Sequence, residues 1–167
     1  MTDTEKEELE RNRQRASLKN MYFNRYLLVR YLTAGFFFTN LYWFLFLLLA
    51  QTKLAFIPLI LLVFLVLVVA EQVKLYSSHT NDTPVTKWYY RFQLAVNLVM
   101  LPMVFLPIFS ELFPFMANTK EAIQLLSIVL LAGSFLCLII LRRLHAIVHD
   151  QDRHYERIKQ YEKTLHI

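Results

Sequence analysis

The sequence has two glycines, five prolines and one cysteine among 167 residues. So little glycine and proline leaves few places for long loops, and no stretch alternates as the strands of a β-barrel would. The single thiol, Cys137, excludes an internal disulfide and a Cys-x-x-Cys redox pair. Charge is missing over long distances. From Tyr31 to Thr52 there is no Asp, Glu, Lys, Arg or His, and after Lys53 the run Leu54–Ala70 is again free of them. A soluble domain does not need such runs, whereas a helix of about 20 apolar residues crosses a hydrocarbon core of about 30 Å. Backbone polar groups in lipid must be bonded within their own segment, so the two runs read as a helical hairpin. The span centres lack charge, which argues against a proton-driven transporter. No span holds a histidine, which argues against a haem-b site. A Gly-rich phosphate loop, a nucleophile elbow and paired catalytic carboxylates are also missing, so no enzymatic activity and no cofactor are expected. No cleavable signal peptide is expected, because the first apolar run starts at about residue 26 and is too long for an h-region.

What is present is 56% hydrophobic, with a mean hydropathy of +0.37. Four apolar stretches stand out, over about 31–52, 54–73, 92–112 and 122–141. The expected fold is all-α: a polytopic membrane protein with a four-transmembrane-helix bundle over 31–141 and cytosolic N- and C-terminal helices. Tyr42 and Trp43 sit mid-run and should pack on neighbouring helices. Pro102 and Pro107 should kink the third span near residues 98–103. Ala132, Gly133 and Ser134 should let the fourth span approach another helix closely. Asn40 and Asn97 read as interhelical hydrogen-bonding residues rather than ligands for a substrate. Glu71 and Glu111 lie at span ends, within reach of water; Glu71 could pair with Lys74 three residues on.

The net charge is +5, and its distribution assigns the basic residues to a membrane surface rather than to nucleic acid. With both termini cytoplasmic, sixteen of the eighteen cations fall inside and only Lys53 and Lys120 outside. Residues 1–30 are expected as a basic amphipathic segment at that surface. Thr4 and Glu7 fit a capping box, and Arg11, Arg13, Arg15, Lys19, Arg25 and Arg30 follow with no acid between them. Leu18, Met21, Tyr22, Tyr26 and Val29 share one helical face, so the six cations are the candidate lipid-contacting residues.

Residues 142–167 contain no breaker and should continue the fourth span as one cytosolic amphipathic helix. Leu144, Ile147, Gln151, His154, Ile158, Tyr161 and Leu165 form a seam with alternating spacings of three and four. The apolar members, Leu144, Ile147, Ile158, Tyr161 and Leu165, are the candidate docking residues, against either the basic N-terminal segment or a protein partner. His145 and His149 lie on one face and could share a metal, in a cluster with Asp150, Asp152 and His154. There is no Glu between the histidines, and a solvated mixed-charge helix accounts for the cluster, so no metal is assigned.

The segment SLKNMYFNRYLLVRYLTAGFFFTNLYWF, residues 17–44, resembles the start of small four-span membrane proteins of low-GC Gram-positive bacteria. These are uncharacterised, and some carry a label linking them to cellobiose phosphotransferase subunit IIA. The resemblance implies a bacterial plasma-membrane protein and brings no catalytic motif. The stretch RYLTAGFFFTNLYWFLFLL is similar to the opening Arg-aromatic, Gly and Thr-Asn run of the four-span glycan-lipid flippase accessory family. The expected function is a non-enzymatic accessory or interaction subunit that contacts the lipid bilayer and a larger protein partner or a second copy of itself. The alternative is transport or flipping of a small or lipid-linked sugar. A polar, water-accessible cavity would favour the alternative, and a dry bundle with an exposed cytosolic seam the accessory role.

Overall fold

The structure, a computed structural model, describes residues 3–77 and 82–164. The seam residue Leu165, together with His166 and the Ser78–Asn81 part of the polar connection, lies outside the described residues, as do the side chains of Glu7 and His154. Every regular element described is helical: α1 (Asp3–Arg25), α2 (Leu27–Leu49), α3 (Phe56–Ser77), α4 (Pro84–Met103), α5 (Phe109–Leu112), α6 (Lys120–Val148) and α7 (Arg153–Thr164).

Three of these helices are long and apolar enough to cross a membrane, and they correspond to α2, α3 with the 3-10 turn before it, and α6. The expectation of four is therefore corrected on composition. The third span was placed over 92–112, but α4 starts at Pro84 and stops at Met103. Pro84 occupies the first turn, where its missing N–H costs nothing, whereas Pro102 and Pro107 prevent continuation. Instead of kinking and running on, the chain leaves the helix and turns through 104–108 into the single turn of α5. The stretch that does form α4 carries Thr86, Lys87, Tyr89, Tyr90, Arg91, Gln93 and Asn97, too polar for a spanning window.

Those polar groups lie inside. Thr86, Tyr89, Tyr90, Gln93 and Asn97 are buried, spaced along one helical face, while Trp88, Phe92, Leu98 and Val99 are exposed. The other long helices repeat the pattern, with exposed Ile60, Val63, Val66 and Leu67 on α3 and Ile128, Val129, Leu131 and Phe135 on α6. An apolar outside around a partly polar inside inverts the arrangement of a soluble domain.

α4 packs against both α3 and α6, and α2 packs against α3. Gly133 on α6 permits a close approach to α4: a Cβ there would lie 2.9 Å from Asn97 Nδ2. At one end, Trp43 donates its indole N–H to the Leu112 carbonyl at 2.9 Å and stacks on Phe113. Tyr42 does not pack as expected; it points outward and is 59% exposed. At the other end lie both α1 and α7, which pack on each other.

Two sharp reversals among the described residues use no glycine. α2 ends with Gln51 at φ 54°, where the Gln51 N–H donates to the Leu48 carbonyl and the Thr52 N–H to that of Leu47. α6 ends the same way, with Asp150 at φ 52°, the Asp150 N–H on the Ile147 carbonyl and the Gln151 N–H on that of Ala146. Both are Schellman motifs whose left-handed position is filled by a non-glycine residue. The second corrects the expectation of one continuous helix over 142–167: the chain reverses at Asp150 and α7 begins anew at Arg153.

Candidate functional site

The end of the molecule that gathers α1, α7 and the near ends of α2, α3 and α6 carries the densest chemistry. Its centre is Arg25, the last residue of α1, which is 1% exposed. The Arg25 Nε–H donates to Asp152 Oδ2 at 3.2 Å, and Nη2 donates to the other Asp152 oxygen, to Asp150 Oδ1 at 2.9 Å and to the Ile147 carbonyl at 3.1 Å. Tyr155 covers the guanidinium with its ring at 5.0 Å. The reversal at Asp150 makes this possible, because it brings both carboxylates and the Ile147 carbonyl, which also accepts the Asp150 N–H, to one point. Burial works against the Arg25 charge, but the bonds and charges of Asp152 and Asp150 outweigh it and hold the group above its ordinary pKa. Next to it, burial pushes the Tyr26 phenol up to about 12. Arg25 is therefore not available to lipid headgroups, contrary to the sequence expectation.

The remaining basic candidates divide. Arg11, Arg13 and Arg15 are exposed on α1, and Lys19 is half-buried. Arg30, in the first turn of α2, is half-buried and stacks on the Phe23 ring, its guanidinium carbon 3.5 Å from the centroid. Arg30 Nη2 donates to the Gln72 carbonyl on α3 at 3.2 Å. Arg30 Nη1 is buried and finds no hydrogen-bond partner among the described residues. Arg30 heads a groove of about 660 Å³ between α2 and α3, walled by Phe37, Phe38, Val66, Val69 and Val73.

Behind the groove the interior polar side chains bond to one another. Gln72 Nε2 donates to Thr33 Oγ1 at 3.0 Å, and Thr33 is 2.8 Å from the Tyr90 hydroxyl. Deeper, the Tyr89 hydroxyl donates to Gln93 Oε1 at 2.8 Å, and Gln93 Nε2 donates to Asn97 Oδ1 at 3.0 Å. Asn40 Nδ2 donates to the Phe36 carbonyl at 2.8 Å and reaches Gln93 Oε1 at 3.5 Å. Side chains satisfied in this way hold helices in register, and none of them is an activated nucleophile or base. Glu71 receives the Val85 and Thr86 N–H groups and the Thr86 hydroxyl, so its carboxylate closes the start of α4.

The seam assigned to docking is covered by the chain itself. Leu144 and Ile147 belong to the main core, Ile158 is 1% exposed, and Tyr161 is half-buried. Of the two surfaces expected to meet the seam, the basic N-terminal segment is the one α7 packs on, because the reversal at Asp150 folds α7 back against α1. His145 and His149 lie with ring centroids 4.2 Å apart and planes tilted by 39°, and His149 Nδ1 lies 2.9 Å from the carbonyl of His145. Among the described residues no group of three His, Cys, Asp or Glu side chains converges on a metal position.

Sequence reasoning missed the Arg25 tie and the arginine-headed groove. The tie joins residues 127 apart in sequence, so no local pattern carries it. The polar face of α4 did leave a signal, in the helical spacing of Thr86, Tyr90, Gln93 and Asn97. Comparison of the chain with protein-family models, with curated proteins and with solved structures finds no match in any of the three.

Proposed function

We propose that this chain is a non-enzymatic integral membrane protein, an accessory subunit that contacts lipid and a larger protein partner or a second copy of itself. The observation that carries the reading is the inverted helix surface: large apolar side chains face outward on α2, α3, α4 and α6, while the interior polar side chains are bonded to one another. Such a surface suits acyl chains, and Thr33, Gln72, Tyr90, Gln93 and Asn97, bonded to one another between the helices, leave no open aqueous path there. In this reading α4 crosses as a fourth helix. Its outward Phe92, Leu98 and Val99 meet lipid, and its polar face is sheltered by α3 and α6. Both chain ends then lie on the cytoplasmic side, where sixteen of the eighteen cations gather, and the resemblance to the Gram-positive four-span proteins points to a bacterial plasma membrane. Exposed on α1, Arg11, Arg13 and Arg15 remain the residues to contact the headgroups on that side.

The second reading, movement of a lipid-linked sugar across the bilayer, draws support from the groove between α2 and α3, which opens on the apolar outer surface. Topology is tested by cysteine labelling. In a Cys137→Ser background, Lys53→Cys and Lys120→Cys should react with an impermeant reagent from outside intact cells, and Arg142→Cys should react only after lysis. Labelling of Arg142→Cys from outside overturns the arrangement. Reconstituted vesicles separate the two functions: the accessory reading expects no acceleration of lipid exchange between leaflets, and acceleration favours flipping.

A further inference from the structure

We infer that the groove between α2 and α3 is a binding site for one anionic phospholipid, with the headgroup phosphate on Arg30 and an acyl chain along Phe37, Phe38, Val66, Val69 and Val73. The inference rests on the membrane reading and adds a ligand class and a site to it. Charge is confined to one end of the groove. Arg30 lies in the first turn of α2, and Phe37 lies seven residues further on, a rise of about 10 Å along the helix. A ligand that fits must be anionic at one end and apolar beyond it. The volume of about 660 Å³ falls within the range of about 300–1,000 Å³ usual for small-ligand sites.

The guanidinium is already oriented. The Phe23 face holds it from one side and the bond from Nη2 to the Gln72 carbonyl from another, which leaves buried Nη1 with its donors unspent. A phosphate accepts such donors in the plane of the fork, and an arginine placed in advance loses little freedom on binding. The walls select a lipid over a peptide, because an extended peptide would leave its backbone groups unpaired against valine and phenylalanine. Groove and headgroup also match in level: Arg30 sits at the end of the span beside Arg25 and α1, where the headgroups of the cytoplasmic leaflet would lie.

Native mass spectrometry of the full chain in mild detergent tests the site, with dioleoyl phosphatidylglycerol and dioleoyl phosphatidylcholine as probes. Wild type should retain one phosphatidylglycerol per chain at least tenfold more strongly than phosphatidylcholine. Arg30→Gln should lose that preference and Arg30→Lys should keep part of it. Val69→Trp, which fills the groove and leaves Arg30 in place, should lower retention of both lipids. Arg142→Gln removes an exposed cation at the same end and should retain phosphatidylglycerol like wild type. Retention by Arg30→Gln equal to wild type overturns the site, as does equal loss in Arg142→Gln, which would mean diffuse charge attraction. Should Arg30→Gln melt earlier than wild type, Val69→Trp decides alone. Failure of the membrane reading is distinguishable: the chain would then leave membranes in alkaline carbonate without detergent, whereas failure of the site alone leaves it membrane-integral.

Discussion

Two glycines in one sequence have opposite physical roles. Gly133 faces Asn97, and an added Cβ would lie 2.9 Å from its amide nitrogen, closer than such atoms approach. Asn97 cannot simply yield, because its Oδ1 receives the Gln93 amide at 3.0 Å, which in turn holds Tyr89. Gly35 on α2 has nothing within 4 Å of its built Cβ. Gly133→Ala should therefore destabilise by about 1–3 kcal/mol, as overpacking does, while Gly35→Ala should be neutral or gain up to about 1 kcal/mol from helix propensity. Thermal melts of the two variants in the same detergent check the contrast. A Gly133→Ala melt equal to wild type would mean that α4 and α6 are not in close contact at this level.

At the scale of the element, the helix ends show how a chain with two glycines reverses direction. Gln51 adopts the left-handed conformation at φ 54°, with an exposed side chain and a closed pair of backbone bonds. A non-glycine residue costs roughly 1–2 kcal/mol there. Gln51→Gly should recover part of this, a gain of about 0.5–1 kcal/mol after the added freedom of the unfolded chain is counted. Asp150→Gly should gain nothing, although Asp150 has the same geometry at φ 52°, because its carboxylate accepts from Arg25 at 2.9 Å. Denaturant midpoints of the two variants measure the difference. Equal gains would show that the Asp150 carboxylate contributes nothing to the fold.

For the whole molecule, the bonds of Arg25 tie the first helix to the turn that starts the last, and the Tyr155 ring extends the contact into α7. The charge is fully enclosed, and so is the Asp152 side chain. Removing one member of such a pair strands the other, at a cost of roughly 3–5 kcal/mol, whereas replacing both by apolar groups is often neutral. Arg25→Met should loosen α1 and α7 together, seen as faster hydrogen exchange in both, with α2, α3 and α6 unchanged. Arg25→Met combined with Asp152→Leu should restore most of the protection. If α7 keeps its protection in the single variant, its packing on α1 through Ile158 holds it without the ion pair.

Composition by itself determined the helical class and the apolar runs, because these depend on local sequence and on the length of an apolar stretch. The seam over Leu144, Ile147 and Ile158 was also legible as a packing surface. What covers it was legible only as a choice between the basic N-terminal segment and a partner, because the reversal at Asp150, which brings α7 against α1, carries no glycine or proline to announce it. The third span was misplaced for a related reason. Hydropathy records how apolar a window is, not which way its side chains face, and α4 turns its polar residues inward. Only tertiary structure could decide that Arg25 is enclosed while Arg30 heads a groove, because two arginines five residues apart on a basic stretch are locally alike. What separates them is which distant groups the fold brings near: two aspartates and a carbonyl 122 to 127 residues away for one, a phenylalanine face and the Gln72 carbonyl for the other.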